Sequence, residues 1–238
     1  MTSPAPANPI TAALQEAIAL DAPLDERMAV IRRAVVAYSD VFTEGVDRFV
    51  NRLTAAGAGH NAPAVGDVMP PFFLPDHDGH LVTLSDMLRD GPVVIAFHRG
   101  HWCPYCQLHA VALGEVRREV EAAGARIVAI TPDMQPYNLK LRAEGGGGIP
   151  ILSDIDNGYA LSLNLAIWVG EEMKEMMRSG GYDTEASQGN TAWFLPIPAT
   201  FVVAANGRII ARHIDPDYRR RMDIELLLDC VRASRQAA

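Results

Sequence analysis

Two continuous runs of apolar and β-branched residues, PVVIAF (residues 92 to 97) and ARIVAIT (residues 125 to 131), set the frame for this chain. Neither alternates with polar residues, which is the pattern of a strand buried on both faces. Between them PYCQLHAVALGEVRREVEAAG (residues 104 to 124) carries helical apolar spacing and ends on Gly124, a C-cap residue. PYNLKLRAE then predicts a second helix, the glycines 145 to 148 a flexible loop, and IPILSD a short third strand. FFLPDHDGHLVTL (residues 72 to 84) predicts a β-hairpin around DHDG, and ATFVVAANGRIIARHI (residues 199 to 214) another through Asn206-Gly207. Residues 157 to 178 read as largely helical, 179 to 193 as an irregular excursion, and 222 to 236 as a closing amphipathic helix. This order implies an α/β sandwich with a mixed central sheet flanked by helices.

The first nine residues, rich in Pro, Ala and Ser, are expected to be disordered. From there to about residue 57, Met28, Ile31, Val35, Val41, Val46, Phe49 and Leu53 recur at helical spacing, with a break expected near Ser39 or Gly45. TAAGAGHNAPAVGD (residues 54 to 67) reads as a linker of small residues with no face to bury. The expected organisation is therefore an N-terminal helical extension over residues 1–58 and an α/β domain over 59–238. The apolar stripe of the extension has two readings: packing on its own domain, or the contact of a homodimer.

The net charge of −8 in 238 residues is spread over both signs, and the basic clusters sit beside acidic residues, so nothing is built to hold a nucleic-acid backbone. The start has no basic segment followed by an apolar core, and no apolar run approaches the ~20 residues of a membrane span. Three cysteines, two of them three positions apart, do not make a secreted disulfide framework. A soluble protein of a reducing, cytoplasmic compartment is expected.

Cys103 and Cys106 fall where the strand PVVIAF has passed through a loop, HRGHW, into the start of the helix. Unpaired amides and the dipole at a helix start favour thiolate over thiol, and Arg99 adds a positive charge nearby. Residues i and i+3 lie about 5 to 6 Å apart in a helical turn, within reach of a disulfide. Pro104 suits the first turn because the amide it lacks would have no partner there. The competing reading is a zinc site in which His98, His101 or His109 supplies nitrogen, but no second ligand pair follows at a typical distance. A redox dithiol needing no metal, flavin or nucleotide is the stronger reading.

WCPYC is similar to the redox motifs of thioredoxins and glutaredoxins. More specifically, VGDVMPPFFLPDHDGHLVTLSDML, FHRGHWCPYC, LSD, LPIPATFVV and DPDYRRR, in that order, resemble the peroxiredoxin-like branch of the alkyl hydroperoxide reductase and thiol-specific antioxidant family, over roughly residues 65–235. The resemblance implies a thioredoxin-like fold and thiol-based reduction of peroxides or disulfides. It also implies a reducing partner, either a thioredoxin-like dithiol protein or glutathione. Alignment on peroxiredoxins puts Cys106 at the peroxide-attacking position; alignment on thioredoxins makes Cys103 the attacking thiol. Where peroxiredoxins carry an arginine before the TF strand, this chain has Pro198, which matches the cis-proline of thioredoxins, with Arg99 as a substitute guanidinium. On those grounds Cys103, at the edge of the loop, is expected to be the exposed thiol of lower pKa and the first to attack, with Cys106 resolving.

His101 and Trp102 are expected at the rim of the site, His101 as a proton carrier. His98 reads as a core histidine, Cys230 as a small apolar residue of the terminal helix, and EGGGGIP lacks the Lys-Ser or Lys-Thr of a phosphate-binding loop.

Overall fold

The computed structural model describes residues 8 to 145 and 148 to 234. Most of the expected disordered start, half of the expected glycine loop and the last two residues of the expected terminal helix lie outside them. Three helices open the chain: α1 (Pro9–Ala19), α2 (Leu24–Tyr38) and α3 (Asp40–Ala55). The break comes at Ser39, whose hydroxyl accepts from the Phe42 amide at 3.1 Å and caps α3. Gly45 lies inside α3.

The hairpin of β1 (Phe73–Pro75) and β2 (Leu81–Thr83) follows, then α4 (Leu84–Arg89) and β3 (Val93–Phe97). Next come α5 (Pro104–Glu115), α6 (Arg117–Ala122), β4 (Arg126–Thr131), α7 (Gln135–Glu144), β5 (Ile151–Ser153) and α8 (Gly158–Ser162). β6 (Ala166–Trp168), α9 (Glu171–Ser179), α10 (Thr184–Gln188), β7 (Phe194–Pro196), β8 (Ala199–Val203), β9 (Ile209–Ile214) and α11 (Ile224–Ser234) complete the chain. The central sheet has the order β5-β4-β3-β8-β9. β3, β4 and β5 run parallel, and β8 pairs antiparallel with both β3 and β9, so the sheet is mixed as expected.

All five residues of β3 are buried, because both faces of the sheet are covered. Val93, Ile95 and Phe97 pack on one side with Phe201, Tyr159 and Met87; Val94 and Ala96 pack on the other with Leu113, Leu141 and Leu228. A third cluster joins α1, α2, α3 and α9 to the first turns of α5, and it contains both Cys103 and Cys106. The stripe of the N-terminal helices therefore packs largely on its own chain: Met28, Ile31, Val46, Phe49 and Leu53 are buried, whereas Val41 is exposed. Arg27 ties this layer down, donating to the carbonyls of Ala17 and Ile18 and to both carboxylate oxygens of Glu115 at the end of α5.

Four local expectations need correction. The helix expected over residues 104 to 124 is interrupted at Val116 (φ −92°, ψ 1°), two residues after Gly114. Glycine is a weak helix former, and here its missing side chain admits the Gly145 carbonyl, 3.1 Å from where a Cβ would stand. The segment 157 to 178 is helical at α8 and α9, but between them Ala166, Ile167 and Trp168 form β6 and pair with Pro196, Leu195 and Phe194. The excursion 179 to 193 contains α10, capped by the Asp183 carboxylate, which accepts from the Ala186 amide. Finally, the small-residue stretch 54 to 67 is docked on β9. Ala62 is buried, the Gly66 amide donates to Ile209 at 2.8 Å, and Arg212 donates to the carbonyls of Ala62 and Pro63.

Candidate active site

The site stands where β3 ends and α5 begins. Parallel β3 and β4 deliver the loop 98 to 103 to one edge of the sheet, and Cys103 is the N-cap of α5 with Pro104 at its first position. The loop can turn here because Gly100 has φ +145°; a Cβ on it would lie 2.6 Å from Trp102 Nε1 and 3.0 Å from Asp133 Oδ2. Asp133, fully buried after β4, holds the loop from below. One of its oxygens accepts from the His101 amide at 2.7 Å and from His101 Nδ1 at 3.0 Å. His101 also lies against the ring of Tyr137, and its side chain is largely buried, so it is a braced side chain rather than an open rim group.

Cys106 Sγ is surrounded by donors. The Arg99 amide reaches it at 3.3 Å and Arg221 Nη2 at 3.5 Å. Burial alone would raise this thiol. The hydrogen bond from Cys103, the Arg221 guanidinium, the Arg99 amide and the Arg99 charge outweigh burial and bring it down to about 6. Cys103 moves the other way: burial, the bond to Cys106 and the negative charge there hold its thiol well up, against the opposing pull of Arg99 and Arg221. Within the pair, the donors and positive charges favour ionisation at Cys106, and burial disfavours it at Cys103.

The expectation of an exposed, low-pKa Cys103 is therefore reversed. Both cysteines are buried, at 1% and 0% exposure, and the charge-stabilising groups converge on the inner one. Arg99 does contribute a charge, but its guanidinium lies 3.9 Å over the ring of Tyr218 and 5.0 Å from that of Trp102, and its amide makes the contact with sulfur. Trp102 packs on Tyr182 and closes the site on the α9 side. Pro198 is buried at the start of β8, and the pairing of Phe97 with Ala199 brings it to the same end of the sheet as the loop. The peptide bond before it is trans, as are all those of the described residues, so the expected match to a cis-proline does not hold.

Two groups escaped the sequence reading. Arg221 ends the quoted stretch DPDYRRR but lies 115 positions from Cys106, and only the packing of the loop after β9 brings it to the sulfur. Asp133 follows β4 and has no local mark of its role. His98 and His109 form a buried pair, with Nε2 and Nδ1 3.0 Å apart. Burial and the nearby Arg221 charge lower His98 to about 3, so it stays neutral. Their facing rings do not assemble a zinc site with the cysteines; among the described residues the one convergent trio of ligand atoms is Asp76, Asp78 and His80, on the β1–β2 hairpin. Cys230 is half-buried on α11. No helix of the described residues is long and apolar enough to cross a membrane.

A cysteine pair at the first turn of a helix, beside two arginines and on a thioredoxin-like mixed sheet, defines a thiol-dependent oxidoreductase. The chain belongs to the AhpC/TSA family, whose profile matches residues 65–212, and it is a thiol-dependent peroxidase and antioxidant enzyme of the peroxiredoxin type. The peroxiredoxin candidate Rv2521 of Mycobacterium tuberculosis is 30% identical over 145 residues, covering 61% of this chain and 81% of that protein. Peroxiredoxin Bcp of Escherichia coli K12 is 33% identical over 84 residues, which is 35% of this chain and 53% of Bcp. Among solved structures, peroxidoxin BcpB of Mycobacterium tuberculosis superposes with a TM-score of 0.55 at 22% identity, covering 71% of this chain and 96% of that one. A reduced 2-Cys peroxiredoxin of Plasmodium vivax gives 0.54 at 16% identity, covering 73% and 83%. The last two likenesses concern the fold.

Proposed function

We propose that Cys106 is the peroxide-attacking thiolate and Cys103 its proton donor and resolving thiol. The observation that carries this reading is the convergence of the Arg99 amide, the Arg221 guanidinium and the Cys103 thiol on Cys106 Sγ. The Cys106 thiolate attacks one oxygen of a hydroperoxide; an S–O bond forms, the O–O bond breaks, and Cys106 becomes a sulfenic acid. The departing alkoxide or hydroxide takes the Cys103 proton and leaves as alcohol or water. The Cys103 thiolate then attacks Cys106 Sγ, forming the S–S bond and expelling hydroxide, which is protonated by solvent. Two electrons from a thioredoxin-like dithiol protein or glutathione restore the pair, and a reducing, cytoplasmic setting supplies them.

Arg99 and Arg221 hold negative charge on the sulfur and on the peroxide oxygens as the O–O bond stretches. His101, through Asp133, and Trp102, packed on Tyr182, keep the loop in place, and Pro198 is buried at the same end of the sheet. A cavity of about 40 Å³ lined by Cys103, Arg99, Trp102, Met177, Tyr182 and Tyr218 lies on the Cys103 side of the pair, and a small hydroperoxide passes Cys103 to reach the buried Cys106 more readily than a folded protein disulfide does. Ile10, Val35 and Phe42 of the N-terminal extension form part of this roof, and Val36, Tyr38 and Val41, left exposed, are the surface available to a homodimer. The test is stopped-flow oxidation of the reduced protein and of Cys103→Ser and Cys106→Ser by hydrogen peroxide, with sulfenic acid trapped and located by peptide mapping. Sulfenic acid on Cys106 in Cys103→Ser, and an inert Cys106→Ser, are expected; trapping on Cys103 would overturn the assignment.

A further inference from the structure

Behind the thiolate, on the side of Arg221 away from the sulfur, a second cavity of about 530 Å³ opens between α2 and the loop that joins β9 to α11. Arg32, His213 and arginines 219 to 221 line it. Two of these arginines are already neutralised. Arg219 pairs with Asp217 at 2.7 Å and with Asp47 at 2.8 Å, and Arg220 with Asp215 at 3.5 Å and Asp217 at 3.8 Å. Arg32 and Arg221 have no carboxylate within 4.0 Å among the described residues.

The hydrogen-bond inventory points the same way. Arg221 gives Nη1 to the carbonyls of Tyr218 and Arg220 and Nη2 to Cys106 Sγ, which leaves Nε. That Nε, Arg32 Nε and His213 Nε2 are all buried atoms with no partner, and all three residues border the one cavity. A buried donor without an acceptor is costly, and a guanidinium edge is shaped to receive two oxygens of one anion. The acids at the rim are partly engaged: Asp215 with Arg220, Asp223 with the Leu226 amide, Asp25 with the Glu26 amide. Their charge limits the cavity to a single small anion.

We propose that this cavity binds one small oxyanion, a carboxylate or a phosphate group, between Arg32 and Arg221, and that the bound anion competes with the Cys106 thiolate for the Arg221 guanidinium. The competition follows from one residue serving both: Arg221 gives Nη2 to Cys106 Sγ and borders the cavity, so a guanidinium drawn toward an anion is drawn from the sulfur. Because coupling is reciprocal, the anion lowers the thiolate fraction, and thiolate formation weakens the anion. The binding half stands apart from the assignment of Cys106 as attacking thiol; the coupling half rests on Cys106 being the thiolate.

The test is calorimetric titration of the reduced full chain with inorganic phosphate and, separately, with acetate, at constant ionic strength made up with chloride. Saturable binding of at least one is expected, weakened at least about tenfold in Arg32→Gln and less in Arg32→Lys, which keeps the charge. Phosphate alone binding, or acetate alone, identifies the group. Failure of both to bind above the chloride control, or equal binding by Arg32→Gln, overturns the site. In parallel, iodoacetamide labelling of Cys106 at fixed pH is expected to slow about fivefold at saturating anion in the wild type, and added anion is expected to leave the labelling rate of Arg32→Gln unchanged. Binding without slowing overturns the competition. A Cys106 that labels slowly even without anion overturns instead its assignment as the thiolate and leaves the binding result standing.

Discussion

Replacement of Arg221 by Gln removes the one side-chain charge that, among the described residues, contacts Cys106 Sγ directly, at 3.5 Å, and keeps a side chain of similar reach. A hydrogen bond to a charged group contributes about 1.5 to 3 kcal/mol, or about 1 to 2 pKa units at 1.36 kcal/mol each. The Cys106 thiol, held at about 6, should therefore move to about 7 to 8 in Arg221→Gln. At pH 7 its thiolate fraction falls from about 0.9 to between about 0.5 and 0.09, a loss of roughly two- to tenfold from ionisation alone. The sign is that of an acid whose reactive form is deprotonated. The rate rises with pH through the folded-state pKa, and the variant's rise is displaced to higher pH.

The assay is the second-order rate of Cys106 with hydrogen peroxide and with iodoacetamide from pH 5 to 10, in a Cys230→Ser background. With iodoacetamide, which needs only the thiolate, the two proteins should converge above about pH 9, where both are ionised. With peroxide a deficit should persist there, because the guanidinium also faces the oxygens on which charge develops. An iodoacetamide profile for Arg221→Gln that coincides with wild type would refute the electrostatic account of this site.

Three further outcomes are expected. Asp133→Ala leaves the His101 amide and ring without their acceptor and should cost about 1 to 3 kcal/mol of stability, read as a lower urea midpoint at unchanged slope; an unchanged midpoint would remove Asp133 as the brace of the loop. Arg27→Ala breaks the link from α1 and α2 to Glu115 and should raise hydrogen exchange across Pro9–Ala19 while the amides of β3 stay protected, and uniform protection of α1 would contradict this. Oxidation by one equivalent of peroxide should produce a Cys103–Cys106 disulfide with Cys230 free, and Cys230→Ser should turn over at the wild-type rate; peptide mapping that finds Cys230 bridged in most molecules would require α11 to move.

Much of the architecture was legible because it depends on residues close together in the chain. Burial of β3 and of β4 beyond Arg126, the two hairpins, a helix break near Ser39 or Gly45 and the position of Cys103 and Cys106 at the start of α5 are all read from local pattern and turn chemistry. The errors arose where local pattern met a distant partner. Ala166, Ile167 and Trp168 became a strand because Phe194, Leu195 and Pro196 were there to pair with them. The stretch 54 to 67, which has almost no side chains to bury, is held through its backbone by β9.

The sequence by itself determined that two thiols would share a helix turn at the end of a buried strand, and that chemistry there would be thiol-based. It did not determine which sulfur is the thiolate. A thiol's ionisation is the sum of burial and of every charge and donor around it, and around Cys106 those come from Arg99, Cys103 and an arginine 115 positions away. Proximity in the chain suggested the outer cysteine. Proximity in space, created when the loop after β9 folds back over α5, favours the inner one.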